Sequence, residues 1–179
     1  VELVRGWGRF SGASTVEVTA GDGSVRELRG ERILIAVGGR PHRPEIPGAD
    51  LGWVSDDMFL LESLPDAVVV VGAGFIACEF ACILNGLGVK VTQLVRGDHL
   101  LRGFDREASK AVQEGMEAAG IEIRFAHSPA AITGQCAPGE LTVTTQSGEQ
   151  LPCGGVLLAT GRRPFLQGLM VAGVFGILL

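Results

Sequence analysis

Two glycines and two arginines carry the chemistry legible in this chain. The run Gly72-Ala73-Gly74-Phe75-Ile76-Ala77 has glycine, glycine and alanine at the spacing GxGxxA, and Arg96 and Arg102 follow downstream. A backbone bare at Gly72 and Gly74 can turn sharply and let an anion come close to main-chain N–H groups. Guanidinium groups fork onto phosphate oxygens with paired, planar donors. Together these residue types point to the binding of phosphate esters.

The elements that must position them follow from the flanking pattern. Ala67–Val71 is an apolar run that predicts a strand buried on both faces. After the glycines, Ile76, Phe80, Ile83, Leu84 and Leu87 recur at helical spacing, and Gly88 stands where a helix end favours positive φ. A second strand is expected over residues 89–95. In this β-α-β unit Gly72 permits the turn, Gly74 leaves room for a pyrophosphate, and the small Ala77 lets the helix pack close to the strand. Free N–H groups and the dipole at the helix start attract the phosphates. A dinucleotide site is therefore predicted, the alternative being a helix-sheet joint that merely tolerates glycine.

The end of the second strand bears on which dinucleotide. An NAD site places an acid about 20 residues beyond the first glycine to hold the ribose 2′-hydroxyl, where this chain reads Gln93-Leu94-Val95-Arg96. With Arg96 and Arg102 available for a 2′-phosphate, NADPH is predicted over NADH; the competing reading is two solvated surface arginines.

Bulk properties narrow the classes. The 179 residues are 46% hydrophobic and 20% charged, with material for one domain or a little more. A net charge of −5 without a basic run argues against nucleic acid or an anionic membrane as partner. The longest apolar stretch, residues 169–179, is too short and too rich in glycine to span a bilayer. Cys78, Cys82, Cys136 and Cys153 fit no metal or disulfide framework, and the pair Cys78 and Cys82, four apart, is expected on one buried helix face. The chain starts inside an apparent strand with neither Met nor leader, so a missing N-terminus is expected.

Taken in order, residues 1–37 read as a β meander: Thr15–Thr19 alternates, Gly21-Asp22-Gly23 turns, residues 25–28 answer, and residues 32–37 form an apolar strand. A proline-studded linker occupies residues 41–47, and Ser55-Asp56-Asp57 is expected to cap a short helix over residues 58–61. Asp105 is the expected cap of a second helix with Ala108, Ala111, Val112, Met116 and Ala119 on its buried face and Gly120 as its stop. Residues 121–125 form a third parallel strand. An antiparallel excursion through Leu141–Thr145 and residues 150–151 follows, before residues 156–160 return to the sheet. Residues 33–41 and 156–164 echo each other as apolar strand, glycine, arginine and proline, and they bracket the dinucleotide unit.

With these residues in place, the chain resembles the pyridine nucleotide-disulfide oxidoreductases, and within them the glutathione reductases of cyanobacterial or plastid kind. The motifs that carry the resemblance are AVGGRP and ATGRRP, the turn GAGFIACEFA, and VRGDHLLRGFD over residues 95–105. It implies an α/β fold: a Rossmann-like NAD(P)-binding domain with a parallel sheet and an antiparallel meander, inserted between pieces of an FAD-binding domain. Residues 1–47 would be trailing strands of the FAD domain, 48–161 the NADPH domain, and 162–179 the start of the return. Gly72, Gly74, Ile76 and Ala77 would seat the pyrophosphate, with Ala73 and Phe75 among the cofactor-binding residues of the same turn, Arg96 and Arg102 would hold the 2′-phosphate, and Gly161 would line the nicotinamide side. Glu79 matches a glutamate that pairs near the nicotinamide with a lysine lying outside this chain; a solvated helix residue is the alternative. Phe75 stands where the family usually has a flavin-shielding tyrosine. Gly8 and Gly38 match backbone positions that approach FAD.

The resemblance further implies a parent enzyme in which NADPH reduces FAD, the flavin opens a redox disulfide, and glutathione disulfide is the substrate of a cytoplasmic homodimer, a plastid stroma being the alternative location. No catalytic residue and no metal ligand is assigned: the redox CxxxxC and the His-Glu pair are absent, and His42, His99 and His127 match no catalytic histidine. The chain alone is expected to be inactive. Phe165 replaces the usual asparagine after ATGRRP, and residues 169–179 are more apolar than expected. Dihydrolipoamide, mercuric and trypanothione reductases, and a nucleotide-sensing binding module, remain alternatives. A short-chain dehydrogenase is disfavoured because a chain without tyrosine cannot hold Tyr-x-x-x-Lys.

Overall fold

Valines dominate the central strand because both of its faces are covered. The computed structural model describes residues 1–135 and 140–169; Cys136 and the apolar tail beyond Leu169 lie outside them. The chain divides into two compact units, residues 1–40 with the segment from Pro164, and Pro41–Arg163.

The first unit is built on an antiparallel sheet of β1 (Trp7–Gly12), β2 (Thr15–Thr19) and β3 (Val25–Arg29) in the order β1-β2-β3. The expected strand over residues 32–37 does not form: residues 33–38 have no regular structure, and Leu34 is 91% exposed. Its apolar alternation is strand-like, but a strand needs a ladder partner, and none is present among the described residues. Trp7, Val25 and Val37 are also exposed, so this unit carries apolar surface on its edges. Phe165 donates its backbone N–H to the carbonyl of Gly38, and the Arg40 guanidinium lies 4.8 Å from the centre of the Phe165 ring. The chain leaves on β4 (Gly39–Pro41) and returns on β12 (Arg162–Pro164).

The second unit opens with two 3-10 turns, Ala49–Leu51 and Asp57–Leu60. The expected cap at Ser55-Asp56-Asp57 takes another form: Asp56 accepts no cap bond, and Asp57 instead accepts from the Val54 N–H at 2.8 Å. The parallel sheet then follows as β5 (Ala67–Val71), β6 (Lys90–Val95), β7 (Glu122–Phe125) and β11 (Gly155–Leu158), in the order β11-β5-β6-β7. Two helices connect it, α1 (Phe75–Gly86) and α2 (Arg106–Ala118). An antiparallel sheet of β8 (Pro129–Gly134), β9 (Leu141–Thr145) and β10 (Gln150–Cys153) lies between β7 and β11 in sequence. Of these, β8 had no expectation: it begins at a proline, ends at a glycine and contains a register shift.

Alternation along β5 explains its composition. Val68 and Val70 join the helix-side core with Ala77, Cys78, Ala81, Leu84 and Met116, whereas Val69 and Val71 join Ile132, Leu141, Val143 and Leu151 on the other face. The central strand is thus sandwiched between helices and the antiparallel sheet. Burying one such valine stabilises the fold by about 1.5 kcal/mol or more.

Both helix faces differ from expectation. On α1 the buried residues are Ala77, Cys78, Ala81 and Leu84, while Ile83 and Leu87 stay more than half exposed. A helix that starts against a tight glycine turn runs too close to its strand for large side chains, so the small residues face inward. Cys82 is exposed and Cys78 buried; the expected shared cysteine face is therefore wrong, Cys82 falling just outside the narrow contact stripe. On α2 only Met116 of the expected face is buried, with Ser109 also buried two turns earlier, so the helix meets the core along one narrow line. The helix ends behave as expected: Asp105 accepts from Glu107 and Ala108 N–H, and Gly88 and Gly120 take φ 88° and 95°. No helix among the described residues is long and apolar enough to cross a membrane.

Candidate nucleotide-binding site

The sheet order reverses at β5: its continuation β6 lies on one side and β11 on the other. In open α/β sheets the crevice at the carboxyl ends of the strands beside such a reversal is where ligands bind. A cleft of about 180 Å³ opens there, within the second unit, lined among others by Gly74, Phe75 and Ile76 after β5 and by Leu158, Ala159 and Gly161 after β11.

The turn is held from below. Gly72 has φ 141°, and a β-carbon on it would collide with the Ala159 carbonyl oxygen and come within 3.4 Å of the Ala77 methyl. Ala77 itself is fully buried. A β-carbon on Gly74 would meet nothing within 4 Å, so its bareness serves no internal contact and leaves open space at the start of α1. No side chain caps that start, and no acid lies in the first turn. Compared with α2, which Asp105 caps, α1 offers its first N–H groups and its positive dipole end to an outside anion. The residues present thus fit a phosphate group.

Neighbouring elements anchor the turn. Gly72 N–H donates to Leu94 O at 3.0 Å, and Ala159 N–H to Val71 O at 2.8 Å. Gln93, fully buried, donates from Nε2 to Gly72 O at 2.9 Å and lies 3.8 Å from Cys78 Sγ, while its Oε1 has no partner. Burial pushes the Cys78 thiol upward, so it stays protonated. Gln93 therefore faces the core. Arg96 is the first exposed residue after β6.

Arg96 and Arg102 are both exposed and form no ion pair among the described residues. Asp98, the acid between them, is engaged by His99 at 2.6 Å, and that hydrogen bond holds its carboxyl below the usual range. Leu101 N–H donates to Ala73 O at 2.6 Å, which brings the residue before Arg102 onto the glycine turn.

Phe75 is 53% exposed and lines the cleft. Arg162, which lines it as well, pairs with Asp56 at 3.6 Å and reaches Ser55 Oγ at 3.4 Å. Sequence reasoning gives this arginine no binding role; its signal is a charge just past Gly161, at the carboxyl end of a buried strand. Glu79 is exposed on α1 and is not among the cleft-lining residues. Gly8 and Gly38 belong to the first unit; Gly8 would accept a β-carbon at an ordinary 3.5 Å from Val16, whereas Gly38 requires φ 72°. His42 donates its N–H to Gly161 O and lies 3.2 Å from the Arg163 guanidinium, while His127 Nδ1 sits 2.7 Å from Phe125 O. All three histidines are engaged in local contacts. Among the described residues no cluster of His, Cys, Asp and Glu is arranged to hold a metal.

A sequence profile described as pyridine nucleotide-disulphide oxidoreductase matches residues 1–175. The chain belongs to that family. Members use a flavin and a pyridine nucleotide, and the cleft beside Gly74 lies where such a fold receives a nucleotide. Over 171 residues the chain is 40% identical to the glutathione reductase of Nostoc sp., covering 94% of this chain and 36% of that protein. It is equally identical, at 40%, to thioredoxin reductase 2, mitochondrial, of Drosophila melanogaster, with 94% and 34% covered. The sequence is thus glutathione reductase-like and spans about a third of the length of these relatives. Among solved structures, LpdA of Mycobacterium tuberculosis superposes with a TM-score of 0.83 at 28% identity, covering all of this chain and 40% of that one. The HOCl-induced flavoprotein disulfide reductase RclA of Escherichia coli gives 0.80 at 25% identity, with 99% and 40% covered. The Rossmann-like α/β arrangement is common to them.

Proposed function

We propose that the second unit binds NADPH and is the nucleotide-binding part of an FAD-dependent disulfide reductase of glutathione reductase type. The observation that carries this reading is the uncapped start of α1 beneath the open space at Gly74, with two arginines, unpaired among the described residues, on the loop tied to the same turn. N–H groups at the start of α1 would receive the pyrophosphate, and Arg96 and Arg102 the 2′-phosphate. Phe75 and Gly161 would face the nicotinamide half, the exposed ring offering a stacking surface and the glycine a bare backbone. Once bound, the nicotinamide supplies hydride to a flavin, whose reduction opens a disulfide. The full-length protein would act on glutathione disulfide as a cytoplasmic or plastid homodimer, with residues 1–47 and 162–179 belonging to its FAD domain. The identity to thioredoxin reductase 2, as high as that to the Nostoc protein, favours a protein disulfide as the second candidate substrate.

Calorimetric titration of the chain with NADPH and NADH tests the reading, alongside a variant with Arg96→Ala and Arg102→Ala. NADPH preference in the unchanged chain, abolished in the variant, is expected. Equal binding of both cofactors would favour a dihydrolipoamide-type reading, and binding of neither would overturn the nucleotide site.

A further inference from the structure

The loop between β6 and α2 hangs from the glycine turn by a main-chain bond. Leu101 donates its N–H to Ala73 O at 2.6 Å and does so with φ 53°, one of only two non-glycine residues with positive φ among those described. A left-handed leucine is strained, its β-carbon crowding the following carbonyl, and persists where its surroundings over-determine it. Those surroundings are present. Leu100 is fully buried in the helix-side core, its carbonyl accepts from Ser109 Oγ at 2.6 Å, and Leu101 packs against the same core. The Leu101 carbonyl accepts from Phe104 N–H at 3.0 Å, and Asp105 then starts α2. Arg102, immediately after Leu101, has no side-chain ion pair among the described residues to place it, and Asp98 is committed to His99. The backbone bond at Leu101 therefore sets where the Arg102 side chain starts relative to the turn.

We infer that Leu101, through its N–H and its left-handed conformation, is the positioning residue that holds Arg102 at the reach of the 2′-phosphate of a nucleotide whose pyrophosphate is seated over the Gly72–Gly74 turn, and so helps determine selectivity between NADPH and NADH. This rests on the NADPH reading above. A side chain searching freely from a mobile loop would lose part of its binding energy to ordering; a guanidinium delivered by a fixed backbone avoids that loss.

The test compares the 179-residue chain with Leu101→Pro, Leu101→Gly and Ser109→Ala, titrated with NADPH and NADH, with circular dichroism as the folding control. Proline removes the N–H and cannot take positive φ; glycine keeps the donor and adopts the conformation freely. Leu101→Pro should lower NADPH affinity at least tenfold and leave NADH affinity within about twofold. In the Arg102→Ala background it should cause no further loss of selectivity. Leu101→Gly should retain the preference. Ser109→Ala, which frees the Leu100 carbonyl, should reduce NADPH affinity by a smaller factor and spare NADH, keeping the inference testable if the proline variant fails to fold. NADPH preference surviving in Leu101→Pro, or equal loss of both cofactors in either loop variant, would overturn the inference alone. Equal affinity of the unchanged chain for both cofactors would overturn the NADPH reading and this inference with it.

Discussion

The side-chain amide of Gln93 on β6 donates to the carbonyl oxygen of Gly72 at 2.9 Å, so one strand props the first glycine of the turn carried by its neighbour. The prop is incomplete, because Gln93 Oε1 is buried without a partner among the described residues. An orphaned acceptor costs about 1–3 kcal/mol, which offsets much of what the donated bond contributes. Gln93→Leu, apolar and of similar volume, is therefore expected to change unfolding free energy by less than about 1 kcal/mol, whereas Gln93→Ala leaves a cavity and costs about 2 kcal/mol or more. Urea unfolding of both variants checks this; a large loss in the leucine variant would mean that the prop outweighs the orphan.

The two glycines of the turn should separate stability from binding. Gly72→Ala forces a β-carbon against Ala159 at φ 141° and is expected to cost on the order of 2 kcal/mol or more. At Gly74 the backbone is extended, with φ −79° and ψ 173°, and a β-carbon meets nothing. Gly74→Ala should thus unfold within about 0.5 kcal/mol of the unchanged chain yet bind NADPH at least tenfold more weakly. Undiminished binding by Gly74→Ala would show that the open space is not the phosphate seat.

Thiol accessibility should divide the cysteines. Cys82 is exposed, while Cys78 and Cys153 are buried, and burial raises both of their thiol values above the ordinary 9.0. In the native chain iodoacetamide should modify Cys82 and spare Cys78 and Cys153 until denaturant is added, as read by peptide mass spectrometry.

The same raised thiols set an alkaline limit. A group whose folded value is raised stabilises the fold fully below its unfolded value and loses that contribution as pH rises through the folded one. Stability should therefore fall above about pH 9, and serine at both positions should flatten that limb; an unchanged alkaline slope in the double serine variant would assign the loss elsewhere.

Asp105 links helix and loop. Asp105→Ala removes the one carboxylate oxygen that accepts from both Glu107 and Ala108 N–H at the start of α2 and should cost about 1 kcal/mol, measured by thermal unfolding.

Much of the second unit is legible in local sequence. Ala67–Val71, the glycine turn, α1 and β6 emerge from short-range periodicity and punctuation, and Asp105, Gly88 and Gly120 terminate their helices by bonds or dihedrals within a few residues. These features depend on neighbours along the chain, so residue order alone determines them. Tertiary structure decided what depends on distant partners. Residues 32–37 have strand composition but no ladder; β8 exists because β9 pairs with it. The inner face of α1 was chosen by its closeness to β5, which favoured Ala77 and Ala81 over Ile83. Likewise Gln93 turned inward by its parity with Val91 and Val95 in a strand covered on both sides, and Leu101 took its left-handed form because Ala73, 28 positions earlier in the glycine turn, supplied the acceptor. The residue types for binding phosphate could be read in order along the chain; the arrangement that aims them required contacts closed across the fold, whose geometry no local pattern encodes.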